Sequence, residues 1–184
     1  VEVISLLRLT PVLVDVDPKT FNIDIPSVEK AISPKTKAII PVHLFGQAAD
    51  MQEIIDIAEQ NKLYVVEDNA QALGAVYTFA DGKKMKTGTM AHIGTTSFFP
   101  SKNLGAYGDG GAIFTNDDDM AHIIRGMVNH GMYIRYQHDV VGVNSRLDSL
   151  QAAILDIKLK KLDFYNDSRK VAAQKYNKRL IDCQ

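Results

Sequence analysis

The stretch Thr95-Thr-Ser-Phe-Phe-Pro-Ser-Lys-Asn-Leu-Gly-Ala-Tyr-Gly-Asp-Gly-Gly-Ala-Ile-Phe-Thr-Asn116 places a single lysine, Lys102, between two short strands. The strands are predicted over 95–99 and 112–114. The loop between them holds four glycines, which permit positive φ and close approach of the backbone to a ligand. A lysine in such a turn can lose its proton and form a Schiff base with an aldehyde cofactor. The alternative interpretation is a tight hairpin with an exposed lysine.

Upstream of this stretch, short apolar strands alternate with helices. Strands are predicted over 12–16, 37–42 and 63–66, and the first helix opens at Asp24 and ends before Pro34. This alternation predicts βαβ units on a parallel sheet. Because the strands are continuously apolar, we expect helices on both faces. The predicted fold is therefore α/β, a three-layer sandwich with a mostly parallel sheet.

The second helix is predicted to begin at Asp50, with Glu53 placed for a capping box. Its apolar face is formed by Met51, Ile54, Ile55 and Ala58.

Downstream of the glycine loop the pattern is helical. The triplet Asp117-Asp118-Asp119 favours a helix N-terminus over a cation site, because negative charge is common at that end of a helix. From Leu147 the chain is predicted to be helical nearly to its end, with an apolar stripe formed by Leu147, Leu150, Ile154 and Ile157.

Composition excludes several classes of function. A net charge of −1 over 184 residues gives no electrostatic argument for binding nucleic acid or an acidic membrane. No apolar run approaches the length of a membrane helix. The single cysteine, Cys183, cannot form an internal disulfide, which fits a reducing, cytoplasmic environment.

Asp68 follows the third predicted strand, where ligands bind in parallel α/β sheets. It is either a structural cap or, together with Lys102, a partner for a pyridine cofactor whose ring nitrogen must stay protonated. Ser97 precedes the lysine turn, where a hydroxyl could meet a phosphate. A lone histidine such as His43 is more often a satisfied core residue than a ligand. The five histidines have no metal-ligand spacing, and the glycines fit neither G-x-G-x-x-G nor a P-loop.

Five motifs occur in a fixed order: Pro41-Val-His-Leu-Phe-Gly46, Glu67-Asp-Asn-Ala-Gln71, Ser97-Phe-Phe-Pro-Ser-Lys-Asn-Leu-Gly105, Gly108-Asp-Gly-Gly111 and Gly142-Val-Asn-Ser-Arg146. Together they resemble the DegT-type sugar aminotransferases, which are pyridoxal-phosphate enzymes of fold type I. The resemblance covers essentially the whole chain.

The resemblance implies a role for each site residue. Lys102 would be the Schiff-base and proton-transfer lysine, and Asp68 the partner of the pyridine nitrogen. Gln71 would contact the cofactor ring, and Ser97 its phosphate. Asn144 would reach the phosphate of the neighbouring subunit, which implies a homodimer. Lysine at position 102 also argues against the dehydratase branch of the family, which has histidine there.

The implied reaction is transamination of a nucleotide-linked keto-sugar, with glutamate or glutamine as amino donor and pyridoxal 5'-phosphate as cofactor. The alternatives are another reaction on the same cofactor, or a cofactor-free binding or regulatory module that keeps the fold. Residues 1–145 would form the large cofactor-binding domain, and 146–184 a helical segment leading to a small domain. The family's upstream Gly-Thr phosphate turn and its small domain have no counterpart in this sequence, so we expect a central fragment that binds the cofactor weakly.

Overall fold

The computed structural model describes residues 1–181; Cys183, and with it the expectation for its thiol, lies outside the described residues. The helices are α1 (Glu2–Leu6), α2 (Ile25–Ala31), α3 (Met51–Asn61), α4 (Asp118–Met127), α5 (Ser149–Leu159) and α6 (Leu162–Leu180), with a 3₁₀ turn at Leu44–Gly46. The strands are β1 (Ala38–Ile39), β2 (Tyr64–Asp68), β3 (Val76–Thr78), β4 (Lys84–Lys86), β5 (Ile93–Ser97), β6 (Gly111–Phe114), β7 (Met132–Ile134) and β8 (Gln137–His138).

Four strands form the central sheet, in the order β1-β2-β5-β6. The pair β1–β2 is parallel, as the βαβ pattern predicts. The pair β2–β5, whose connection contains β3 and β4 but no helix, is also parallel, whereas β6 runs antiparallel to β5. The sheet is therefore mixed, and the protein has an α/β fold. Because β2 and β5 are parallel neighbours, their carboxyl ends lie at the same edge of the sheet.

One face of this sheet is covered by α2 and α3. The buried side chains Met51, Ile54 and Ala58 of α3 pack with Ile39 and Val65 of the sheet. Met51, Ile54 and Ala58 belong to the apolar face predicted for this helix. Ile55, the fourth residue of that face, is only partly buried.

The opposite face of the sheet leaves large apolar side chains in solvent. Relative exposures are 41% for Ile40, 58% for Tyr64 and 47% for Ile113. Burying large apolar side chains is worth about 1.5–3 kcal/mol each, and these exposed residues do not gain that stabilisation in full.

A second apolar cluster joins α5 and α6 to the lysine turn. Leu155 and Leu162 pack with Phe98, Leu104 and Ala106. The predicted stripe on α5 is wrong: Leu150 and Ile157 are 71% and 65% exposed. The buried side of α5 instead includes Leu155, because the side chains of Gln151 and Lys158, about one helical turn before and after it, bind the loop that follows Lys102. The long predicted helix also breaks at 160–161.

The predicted strand at 12–16 does not form. Only Val16 makes a β-bridge, with Ile23, seven residues later. Because its partner is local, this segment does not add a strand to the sheet.

The capping box predicted for α3 is also absent. Asp50 is the N-cap residue but makes no capping bond, because its Oδ1 accepts a hydrogen bond from the Tyr77 hydroxyl at 2.6 Å. Asp24 and Asp117, in contrast, cap α2 and α4 by accepting from Ser27 N and Met120 N. The interpretation of the aspartate triplet as a helix start is thereby confirmed.

In the part of the chain that the structure describes, no helix has both the length and the apolar character needed to cross a membrane.

Candidate active site

Asp68 ends β2, and the segment 41–43 holds its backbone. Its N–H donates to Pro41 O at 2.9 Å, and its carbonyl accepts from His43 N at 3.0 Å. It pairs with Thr95 of β5 in the sheet register. One carboxylate oxygen, Oδ1, accepts from Ala70 N at 3.0 Å. No donor among the described residues binds Oδ2, so one oxygen is a cap and the other remains available.

Ser97 ends β5 and lies on the same face of the sheet as Asp68, because it is two residues beyond Thr95. Its Oγ accepts from Phe99 N at 3.2 Å. The hydroxyl proton of Ser97 therefore remains free to donate to an anion such as a phosphate.

Lys102 lies in the turn that follows Ser97, and its N–H donates to Phe99 O at 2.9 Å. Its side chain is half-buried, and no acceptor within residues 1–181 binds its amine. The glycines of this turn serve close packing and not positive φ, since none of them is left-handed. At Gly105 an added Cβ would overlap the carbonyl of Pro100.

Gln71 follows Asp68 by three residues, and its amide orientation is fixed. Its Oε1 accepts a hydrogen bond from Phe45 N at 3.0 Å. The Nε2 group is therefore the end that can donate to a ligand oxygen. Phe45 holds a left-handed conformation with φ 57°, which is uncommon for a bulky residue. In the sequence, the only sign of this left-handed conformation is the glycine that follows Phe45. Phe45 was not predicted to contribute to the site.

Asn144 lies apart from these four residues. Its side chain is exposed, and its Oδ1 accepts from Arg146 Nε at 3.0 Å. It forms a β-bridge with Asn129, beyond α4. Within the described residues, no hydrogen bond joins Asn144 to Asp68 or Lys102.

The side chains of His43 and Glu67 form a buried pair next to Asp68, at the end of β2. Both side chains have 0% exposure, and Nε2 is 3.0 Å from the Glu67 Oε2. Ala49 N donates to Nδ1 at 3.1 Å, so Nδ1 carries no proton and Nε2 donates to the carboxylate. The expectation that His43 is a satisfied core residue is confirmed.

Three backbone N–H groups complete the Glu67 site. Gly88, Met90 and Ala91 donate to the carboxylate at 2.7–2.8 Å. Burial alone would raise the pKa of Glu67, but the hydrogen bonds from His43 and these backbone groups hold it below its ordinary value of 4.5. Sequence reasoning missed Glu67; its only signal was its place beside Asp68.

Two side chains of helix α5 form hydrogen bonds with the loop that follows Lys102. Tyr107 N donates to Gln151 Oε1 at 2.8 Å, and the Lys158 amine donates to Gly105 O. Lys158 also lies 5.7 Å from the Tyr107 ring centroid, within range of a cation–π contact.

These groups fit pyridoxal phosphate by their chemistry. The ring needs a carboxylate at its protonated nitrogen, a donor at its phenolic oxygen, a donor at its phosphate and an amine at its aldehyde. Within residues 1–181, one carboxylate oxygen of Asp68 has no donor, and neither the N–H₂ group of Gln71 nor the hydroxyl proton of Ser97 has an acceptor. The side chain of Lys102 ends in an amine.

Comparison with known proteins gives one family over the whole chain. The sequence model of the DegT/DnrJ/EryC1/StrS aminotransferase family matches residues 1–184. A pleiotropic regulatory protein of Geobacillus stearothermophilus is 53% identical over 170 residues, which are 92% of this chain and 44% of that protein. The UDP-2-acetamido-2-deoxy-3-oxo-D-glucuronate aminotransferase of Pseudomonas aeruginosa is 51% identical over 94% of this chain and 47% of that protein.

Among solved structures, NtdA of Bacillus subtilis with bound cofactor PMP matches at a TM-score of 0.84 and 37% identity. The match covers 94% of this chain and 38% of that one. This chain spans about half the length, or less, of the curated relatives it matches.

Proposed function

Because this chain belongs to the DegT/DnrJ/EryC1/StrS aminotransferase family, we propose that it is part of a pyridoxal-phosphate-dependent aminotransferase that aminates a nucleotide-linked keto-sugar. The proposal rests on two residues at the edge of the sheet where β2 and β5 end. There one carboxylate oxygen of Asp68, which no donor among the described residues binds, and the partly buried residue Lys102 follow neighbouring parallel strands.

When bound, pyridoxal phosphate supplies an aldehyde that condenses with amines and a cationic ring that withdraws electrons from the bond being broken. Lys102 would hold the aldehyde carbon through its amine and, once released, would take up and return the proton of the donor's Cα. Asp68 would keep the ring nitrogen protonated. Gln71 would donate to the ring oxygen, and Ser97 would donate to the phosphate.

The substrates belong to the same proposal. The relative from Pseudomonas aeruginosa is named for a UDP-linked 3-oxo sugar, so we take a nucleotide sugar with a ketone as acceptor and glutamate or glutamine as amino donor. Asn144 is proposed to serve the neighbouring subunit of a homodimer, because its exposed side chain lies apart from the other four site residues.

We extend the proposal to the architecture. Residues 1–145 belong to the large cofactor-binding domain, and 146–184 lead toward a small domain. The exposed apolar face of the sheet, with Ile40 and Tyr64, is suited to a second helical layer, which would complete a three-layer sandwich with helices on both faces.

One observation favours a second candidate function, a regulatory module. The relative from Geobacillus stearothermophilus carries the name of a regulatory protein. Such a module needs no cofactor amine. The partly buried position of Lys102, and the Asp68 oxygen that no donor in residues 1–181 binds, favour the enzyme.

Transfer of ¹⁵N from labelled glutamate or glutamine to a panel of nucleotide keto-sugars tests the proposal, using the protein at its natural length. We expect labelled amino-sugar product to form only when pyridoxal phosphate is present. Visible absorbance of the cofactor without any transfer would point to another reaction on it. The absence of both would favour the regulatory module.

A further inference from the structure

Asn166, on α6, contacts two loops at once. Its Nδ2 donates to Leu73 O at 3.0 Å, in the loop after β2. Its Oδ1 accepts from Asn103 Nδ2 at 2.8 Å, in the turn after β5. Leu73 is two residues beyond Gln71, and Asn103 directly follows Lys102. One amide thus bridges the loop of the proposed ring contact and the loop of the proposed catalytic lysine.

The surroundings of Asn166 are shaped for this bridge. Gly74 has φ +93°, and an added Cβ there would lie 2.7 Å from Asn166 Nδ2. A side chain at that position would therefore displace the amide. One turn earlier on α6, Leu162 is buried in the apolar cluster with Leu73 and Leu104, which fixes the helix against both loops.

The two hydrogen bonds of Asn166 are chemically different, and each can be removed separately. The donor end holds only the Leu73 loop, and the acceptor end holds only the Asn103 loop. Aspartate at 166 would keep an acceptor for Asn103 but would place an oxygen against the Leu73 carbonyl, since carboxylates accept only.

We propose that Asn166 is a positioning residue that couples the Gln71 loop to the Lys102 turn, so that both sides of the cofactor site keep one relative geometry. The inference rests on the proposed function, because its consequence is measured on bound pyridoxal phosphate. The bridge itself does not require the cofactor and can be measured without it.

The first measurement is hydrogen exchange on the cofactor-free protein at its natural length. The reporters are the loop amides of Ala72 and Ala75, and of Lys102 and Ala106, which are all hydrogen-bonded within their loops. In Asn166→Ala we expect exchange to rise about five- to tenfold at all four, the factor for one lost hydrogen bond. In Asn166→Asp the rise should be confined to Ala72 and Ala75.

Two variants and one reference segment serve as controls. Asn103→Ala should loosen only the Lys102 turn. Asn177→Ala changes an exposed asparagine on the same helix and should leave every reporter unchanged. Amides of α2 should exchange as in the wild type, which separates loop loosening from global destabilisation.

The second measurement is the rate at which pyridoxal phosphate leaves the loaded protein, followed by its absorbance. We expect release to be about five- to tenfold faster from Asn166→Ala and unchanged for Asn177→Ala. Unchanged exchange in both loops of Asn166→Ala would overturn the coupling. Faster exchange with an unchanged release rate would overturn the positioning role. If the wild type takes up no cofactor, the proposed function and the positioning role fail, while exchange still decides whether Asn166 couples the loops.

Discussion

At the residue scale, the two carboxylate oxygens of Asp68 have different surroundings. Its Oδ1 caps the turn at Ala70 N, and its Oδ2 has no partner among the described residues. We expect Asp68→Asn to keep the fold, since the amide oxygen can still accept from Ala70, but to lose most transamination. The amide cannot hold the ring nitrogen protonated, and losing a charge-assisted hydrogen bond costs about 1.5–3 kcal/mol.

The measurement is single-turnover kinetics beside a thermal melt, with the protein at its natural length. Asp81→Asn, a change of the same chemistry in the exposed loop between β3 and β4, is the matched control. Near-normal turnover of Asp68→Asn would show that Asp68 is a cap alone.

We expect the Glu67 carboxylate to stabilise the fold through its hydrogen bonds. Glu67→Gln should lower the free energy of unfolding by about 1.5–3 kcal/mol near pH 7, because an N–H₂ group would face backbone donors that now bind a carboxylate. Glu59→Gln, at an exposed position on α3, should change it little.

The stabilisation of the fold by Glu67 should depend on pH, and the lowered pKa of Glu67 fixes the direction of that dependence. The folded-state pKa of Glu67 is lowered, so its stabilisation is complete above the ordinary value of 4.5 and is lost as the pH falls through the lower folded-state pKa. The difference between wild type and Glu67→Gln should therefore narrow below about pH 4.5 in urea unfolding curves. A gap that stays constant to lower pH would contradict the ionised, hydrogen-bonded carboxylate.

The sequence identified Asp68, Ser97 and Lys102 as candidates because their types and their places after strands are visible in it. It could not identify Glu67 or Phe45. The Glu67 partners are mostly backbone groups of residues 88–91, and Phe45 acts through its own backbone N–H. Backbone donors carry no residue signature, so only folding shows which side chain they reach.

At the scale of elements, α5 holds the lysine turn through its Leu155 face. Leu155→Ala should lower the free energy of unfolding by about 2–5 kcal/mol, the usual cost of removing a buried leucine side chain. Leu150→Ala is the control on the same helix, because Leu150 is 71% exposed. Equal effects of the two changes in denaturant unfolding would contradict the observed orientation of α5.

The parallel pairing of β1 with β2 followed from the alternation of apolar strands and helices. The orientation of α5 did not, because Gln151 and Lys158 occupy its buried side through hydrogen bonds to the turn. A hydrophobic pattern counts such polar side chains as solvent-facing. The strand expected at 12–16 failed for a related reason: its apolar residues indicate burial, but the only β-bridge there is local.

At the scale of the whole molecule, a shared site in a homodimer is testable by mixing. Asn144→Ala and Lys102→Ala should each be inactive or nearly so. In a mixed dimer one of the two sites has both native residues, so random exchange should restore about a quarter of wild-type turnover. No recovery after exchange is verified by mass would place Asn144 outside the neighbouring site.

The central claim is that Lys102 holds pyridoxal phosphate, and borohydride reduction followed by peptide mapping tests it most directly. The protein at its natural length is loaded with the cofactor, reduced, digested and sequenced by mass spectrometry. The account predicts a pyridoxyl group on Lys102, and none in a Lys102→Ala variant treated in the same way. A pyridoxyl group on Lys83, Lys84 or Lys86 of the β3–β4 hairpin instead, or no specific labelling at all, would contradict it.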